Sequence, residues 1–404
     1  MKHLKNPCFV YTILWCLYWC QGIVYQSDSI ISQSVAMLIL CMSLFFTSKY
    51  IACNRISGYP KALMSVFAMV TVYGIIAYFT EGTVIKGKMA DTMLFAWFRN
   101  MYLSILPIFT YLYFVQKKYL DVKFVKMMLP VIILATLCSY YWSYLTAIQM
   151  AFLKTGTDVT ETTNNAGYTV LSLIPALLVY DNKRLWQYLG LLLIVCLVVL
   201  SVKRGAVMVC AMMSFLFMLR SFSHSSGRKK FLTIFLLIIF SILVYDFVMD
   251  YMAESDYLMK RIEETKEGRA SGRDDIYTTL WNSFKNQTDT WKYFFGGGVW
   301  YTTKLTWTAA HNDWLEFLID MGLFGVIVYI YYWVSFLRLS IKKYLPELSR
   351  FCVFLIFLNM FMRTLFSMSL DSMTFVQGMM LALSYYGLLN SNNDSTIKSR
   401  TIRP

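Results

Sequence analysis

Charge is scarce in this chain. Of 404 residues only 15% are Asp, Glu, Lys or Arg and 58% are apolar, whereas an ordinary soluble domain carries roughly 25% charge. A soluble fold of this length has no core able to hold that apolar surplus, so lipid must be part of its solvent. Histidine is scarcer still: His3, His224 and His311 are the full set. No Asp-x-Asp occurs, and no second His or Cys accompanies His311 to complete a zinc site, so no metal or other cofactor is expected. The formal charge of +14 comes without a zinc-finger spacing, a basic helix or an RNA-binding aromatic motif, which argues against nucleic acid as a partner. The nine cysteines lie in or beside apolar runs, apart from Cys53 in a short loop, and read as small buried hydrophobes rather than disulfides.

What the sequence has in abundance is apolar length. Runs of about 20 residues mark membrane spans, and they fall near 8–25, 30–47, 62–80, 93–115, 124–147, 166–180, 185–201, 205–222, 231–249, 313–337, 350–368 and 373–390. The expectation is an all-α, polytopic membrane protein of about 12 transmembrane helices. Nine helices would occupy 1–249, one large extracytoplasmic loop containing short helices 250–312, three helices 313–390, and a polar tail 391–404. Met1–Asn6 is short and basic, and no small-residue cleavage site follows the first run, so that run is expected to stay as a helix.

Lys and Arg set the orientation. With the N-terminus in the cytoplasm, most cations fall on that side. Outside loop 250–312, which is long enough to escape the rule, the outer turns hold only Lys86, Lys88, Lys154, Lys203 and Arg204. The last two stand out, because Ser201-Val202-Lys203-Arg204-Gly205 is a tight outer turn with almost no other polar residue. Arg99 and Arg363 fall inside spans, in the outer half of the bilayer. Intramembrane arginines are costly and usually face a cavity or a partner. These four cations read either as headgroup anchors or as a cationic site on the outer face.

Within the loop, Glu254–Arg269 mixes signs densely and reads as a solvated helix with pairs such as Lys260 and Glu264. Ser271-Gly272-Arg273-Asp274 followed by Ile276, Leu280 and Phe284 is a helix start with an apolar stripe. Arg273 then occupies a first turn, where free N–H groups already favour anions. It is either paired with Asp275 or Glu267, or it joins a bound phosphate. The run Gly296-Gly297-Gly298 lacks the Lys-Ser/Thr of a nucleotide loop. Ala310-His311-Asn312-Asp313-Trp314-Leu315-Glu316 then enters a span that continues Asp320-Met321-Gly322-Leu323-Phe324-Gly325. His311 is the only histidine expected outside. A helix N-terminus disfavours imidazolium while Asp313 and Glu316 favour it, so the sequence leaves its protonation open.

His-Asn-x-Trp-Leu-Glu before Gly-Leu-Phe-Gly, preceded by a Ser-Gly-Arg helix and an S-x-x-R-G turn, resembles the O-antigen polymerase/ligase superfamily over roughly 165–340. Lys203 departs from the small residue often found in that turn. The resemblance implies a GT-C-type membrane glycosyltransferase in the bacterial cytoplasmic membrane, with its active site facing the periplasm or exterior. Its donor would be a glycan on undecaprenyl pyrophosphate, and its acceptor a second glycan or a lipid core. Membrane lipids, and in some systems a chain-length regulator, would complete its partners. Arg204, Arg273 and His311 become the expected catalytic trio, with Lys203, Arg99, Arg363 and Asn312 as substrate contacts. Polymerisation of repeat units into surface polysaccharide, without metal and with inversion, is the leading expectation. Transfer to lipid A-core by a ligase is the alternative, and a lipid-phosphate transporter or flippase is a reading of a different class.

Overall fold

A computed structural model of the chain describes residues 6–26, 29–79, 88–155, 162–181, 183–224, 273–367 and 370–389, with isolated positions between 225 and 272. The expected span 231–249, the segment 254–269 and the tail 391–404 lie outside the described residues, isolated positions apart.

Helix starts follow their sequence signals. Asn6 accepts from the Cys8 N–H at 2.9 Å, and Pro7 supplies the first turn of α1 (Pro7–Trp19). Ser29 caps α2 (Ile30–Cys53) through the N–H of Ser32. Next come α3 (Tyr59–Phe79), α4 (Lys88–Gln116) and α5 (Val122–Thr155). The stretch expected as one span over 166–180 is instead broken into α6 (Gly167–Leu171), α7 (Leu173–Ala176) and a 3-10 turn over Leu177–Tyr180. Pro175 has no N–H to donate and its ring crowds the carbonyl four residues back, at Leu171, so the ladder breaks at Ser172. The chain continues through α8 (Arg184–Leu200), α9 (Arg204–Ser223), α10 (Arg273–Lys285), α11 (Thr290–Phe295), α12 (Tyr301–Thr306), α13 (Asp313–Ser340), α14 (Glu347–Phe366) and α15 (Phe375–Tyr385). Among the described residues there is no strand, only an isolated bridge between Gln21 and Tyr25.

Six helices, α2, α3, α5, α9, α13 and α14, are long and apolar enough to cross a membrane. The apolar segments α1, 167–180, α8 and α15 are shorter, so the expected count of about 12 is not reached among the described residues. Large apolar side chains such as Phe45, Leu134, Phe215 and Ile327 point outward. Apolar surface on this scale suits lipid and not water.

The helices share two ends. At one end Asn6 bonds to the Tyr119 carbonyl, Asn54 pairs with Gln116, Arg220 meets Asp181 at 3.0 Å and His224 meets Glu347 at 2.9 Å. At the other end Asn164 bonds to Tyr140 and Ser201, Trp314 to Thr364, and Trp15 stacks on Phe375. His311 belongs to this second end.

Helix α13 is two helices joined at a break. At Gly322 the backbone has φ 65° and ψ −164°, which divides 313–321 from 323–340. The glycine run closes on that break. Gly297 donates to the Ile319 carbonyl at 3.0 Å and Gly298 to the Asp320 carbonyl at 2.9 Å. The Tyr73 hydroxyl bridges the carbonyls of Phe295, at 2.8 Å, and Met321, at 3.2 Å. Carbonyls released by the break thus find donors from outside the helix. The buried Asp320 side chain accepts from Thr302 N at 2.7 Å, Thr302 Oγ1 at 2.8 Å and Trp300 N at 3.1 Å, which fixes the start of α12.

The approach is close enough to demand glycine. A Cβ on Gly296 would overlap the Asp320 carbonyl, whereas one on Gly298 would meet nothing within 4 Å. Both residues have positive φ, so both alanines are strained, but only the first also collides with backbone. Gly296→Ala is expected to cost more than about 2 kcal/mol, and Gly298→Ala about 1 kcal/mol. Thermal unfolding of the two variants in detergent checks the order, and equal melting temperatures would refute it.

Candidate active site

The site is assembled by three pieces of chain that meet at the same end of the bundle. The first is α10. Its stripe Ile276, Leu280 and Phe284 packs with Ala310, Leu315 and Ile319, and with Tyr301 and Leu305 of α12. Leu280 and Ala310 are fully buried. This docking is the burial expected for an amphipathic helix. Arg273 is the first residue of α10. Ser271 and Gly272, which precede it, lie outside the described residues.

The second piece is the turn between α8 and α9. Asn164, completely buried, organises it. Its N–H donates to the Ser201 carbonyl at 2.8 Å, its Nδ2 to the Tyr140 carbonyl at 3.0 Å, and its Oδ1 accepts from Ser143 Oγ at 2.7 Å and Ala166 N at 2.9 Å. Gly167 allows close contact, since a Cβ there would lie 2.5 Å from Ser201 Oγ. Val202 is driven to φ 51°, a region that β-branched residues almost never occupy. Lys203 then caps α9 and Arg204 opens it.

The third piece is the lip of α13. Asn312 is its cap, accepting from Trp314 N at 3.0 Å and Leu315 N at 3.2 Å through Oδ1. Asp313 is buried and accepts from the Tyr329 hydroxyl at 2.6 Å. Glu316 reaches back to the Ala310 N–H at 2.8 Å, and Trp314 Nε1 donates to Thr364 Oγ1 at 2.9 Å. His311, held between these anchored neighbours, has φ 52°. Strain of this kind costs about 1–3 kcal/mol per residue and concentrates at functional sites.

Electrostatics shows which candidates come together. The His311 ring reaches the surface, yet the protein packed around it, and then the charges of Arg273 and Lys203, hold its pKa below the ordinary value of 6.5. Both effects disfavour imidazolium and leave a neutral ring at neutral pH. Arg363 lies 4.8 Å over the Tyr168 ring and donates from Nη1 to the Ser372 carbonyl at 3.4 Å. Arg273 acts on the same Tyr168 phenol, which links Arg363 to the group. Lys203, Arg273, His311, Tyr168 and Arg363 therefore form one neighbourhood, with Arg204 next to Lys203. Arg99, on α4, is not tied to it by a hydrogen bond or ion pair among the described residues, and its Nε has no hydrogen-bond partner there.

Sequence reasoning missed Tyr168 and Asp320, and read Asp313 only as a charge near His311. Asp313 stood in the motif, but nothing local signals that it holds a tyrosine 16 residues on. Among the described residues no three His, Cys, Asp or Glu side chains group closely enough to share an ion. Chemically, the arrangement offers cations to an anion and a neutral imidazole to a proton.

Residues 189–330 match the model of the family described as O-antigen ligase. No curated protein matches the chain. The matched stretch runs from α8 through the Gly322 break and carries Lys203, Arg204, Arg273 and His311, so over these residues the chain is similar to the O-antigen polymerase/ligase superfamily.

Proposed function

We propose that the protein polymerises oligosaccharide repeat units carried on undecaprenyl pyrophosphate, on the outer face of the bacterial cytoplasmic membrane. The observation that carries this reading is the neutral His311 set among Arg273 and Lys203 on a strained backbone. Guanidinium groups bind phosphate oxygens in pairs, so Arg204 and Arg273 hold the donor pyrophosphate. As the bond from the anomeric carbon to the pyrophosphate oxygen breaks, charge grows on that oxygen and the arginines stabilise it. His311 takes the proton from the acceptor hydroxyl while the acceptor oxygen attacks the opposite face. One glycosidic bond forms with inversion, undecaprenyl pyrophosphate departs, and no metal is required. Lys203 and Arg363 extend the positive surface on either side, with Arg99 as a further contact for the donor.

The matched family's description favours a second reading, in which the same chemistry delivers the glycan to a lipid core. The two differ only in the acceptor. A transporter gives His311 no role.

His311→Ala is expected to lower turnover by about 10²–10⁴ while donor binding stays near wild type. Arg204→Lys and Arg273→Lys are expected to lose most activity with normal protein levels, because ammonium cannot make the paired contacts. An assay on purified lipid-linked repeats checks all three, and a His311→Ala enzyme keeping more than about a tenth of its rate would rule out general-base catalysis. Because the imidazole is held below 6.5, the deprotonated base persists as pH falls, and the acid limb of kcat/KM should lie below that value. A limb at or above 6.5 would contradict the assignment. Reporter fusions at Asn286, on the exposed end of α10, should report an extracytoplasmic location. Cytoplasmic reporter activity there would put the site on the wrong face for its donor.

A further inference from the structure

A cavity of about 330 Å³ opens at the same end of the bundle as His311, between α1, α4, α5, α6 and the turn before α15. We propose that it is a sugar subsite, seating one pyranose ring of the glycan being joined; this rests on the proposed function, whose lipid-linked glycan it would select.

Its chemistry is unlike that of the cation–histidine cluster. Trp19 and Tyr18 supply aromatic surface, with Trp15 buried and stacked on Phe375 beside them, Asn100, Ser104 and Asn165 supply amides and a hydroxyl, and Arg363 is the one charged residue of the lining. A pyranose has two apolar C–H faces and a rim of hydroxyls that both donate and accept. It therefore needs flat aromatic surface against a face and amides at the rim, since an amide also does both. A lipid tail would not use the amides, and a bare phosphate would not use the tryptophans. The size lies at the lower end of small-molecule sites, about 300–1,000 Å³.

Position ties the cavity to the reaction. Arg363 lines it and lies 4.8 Å over Tyr168, on which Arg273 also acts. Asn165 follows Asn164, whose N–H holds the Ser201 turn that presents Lys203 and Arg204. A ring in this cavity is therefore next to the pyrophosphate-binding cations. Every residue of the lining lies outside 189–330. The groups proposed to perform the transfer and the groups proposed to choose the sugar come from different parts of the chain.

The test is calorimetric titration of the full-length protein in detergent with repeat-unit oligosaccharide, released by mild acid from lipid-linked intermediates of the producing cell. Saturable binding is expected. Trp19→Ala should weaken it about tenfold or more, and Trp19→Phe, which keeps an aromatic face, less than about threefold. Trp19 also packs on Phe375, so Asn100→Ala and Asn165→Ala, at exposed positions, provide a second arm. Each should weaken binding about threefold to tenfold, the loss of one hydrogen bond. No saturable binding by the wild type, or asparagine variants that bind as tightly as wild type, would overturn the subsite. His311→Ala should bind the oligosaccharide normally. If it also kept wild-type turnover while the asparagine variants lost binding, the proposed chemistry would fail and the subsite would stand.

Discussion

The site depends on a single interruption of hydrogen bonding. A helix of 28 residues running unbroken from Asp313 would carry its first turn as a rigid extension of the span below. The left-handed backbone at Gly322 ends one ladder and begins another, and the carbonyls of 319–321 take donors from Gly297, Gly298 and Tyr73 instead. The segment 313–321 is thereby fastened sideways to the loop. Ile319, on that fastened segment, is part of the apolar contact that receives α10.

Around that frame the charges follow from desolvation. Lys203 and Arg273 both act on one imidazole, and Arg363 lies over an aromatic ring beside them. Like charges brought together at a membrane surface repel, and their association favours an anion among them. Burial first, and then the same repulsion, keeps the imidazole unprotonated, so the groups that favour an anion also leave the ring free to act as a base. Backbone strain at Val202 and His311 fits this picture, because neither conformation is one the residue would choose alone.

Much of this was legible in the sequence where a physical signal is local. The stripe Ile276, Leu280 and Phe284 has helical period and packs as that period requires. His311 stood out because it was alone, whereas 166–180 was read as one span although Pro175 lies inside it. Asn312 was expected to touch substrate, and its side chain also has the ordinary work of capping α13. What the sequence hid are partners brought close only by the fold. Asp320 serves N–H groups at Trp300 and Thr302, and Tyr168 lies under Arg363 and feels the charge of Arg273, relations that no periodicity encodes. The stretch 166–180, read as one span, folds as short broken helices, since hydropathy measures the solvent and not the length of a hydrogen-bond ladder.

Tyr73 has a consequence of another kind. Its hydroxyl, on α3, bonds to the carbonyl of Phe295 at the end of α11 and to that of Met321 at the α13 break, each more than 200 residues away in sequence. A phenol at a span's end thus ties the N-terminal helices to the segment that carries His311. Tilting α3 in a thinner or thicker bilayer would pull on the carbonyl of Met321, and through it on the lip of α13. Bilayer thickness would then bear on the geometry around His311 through this hydroxyl and through the packing of Tyr59 on Phe336.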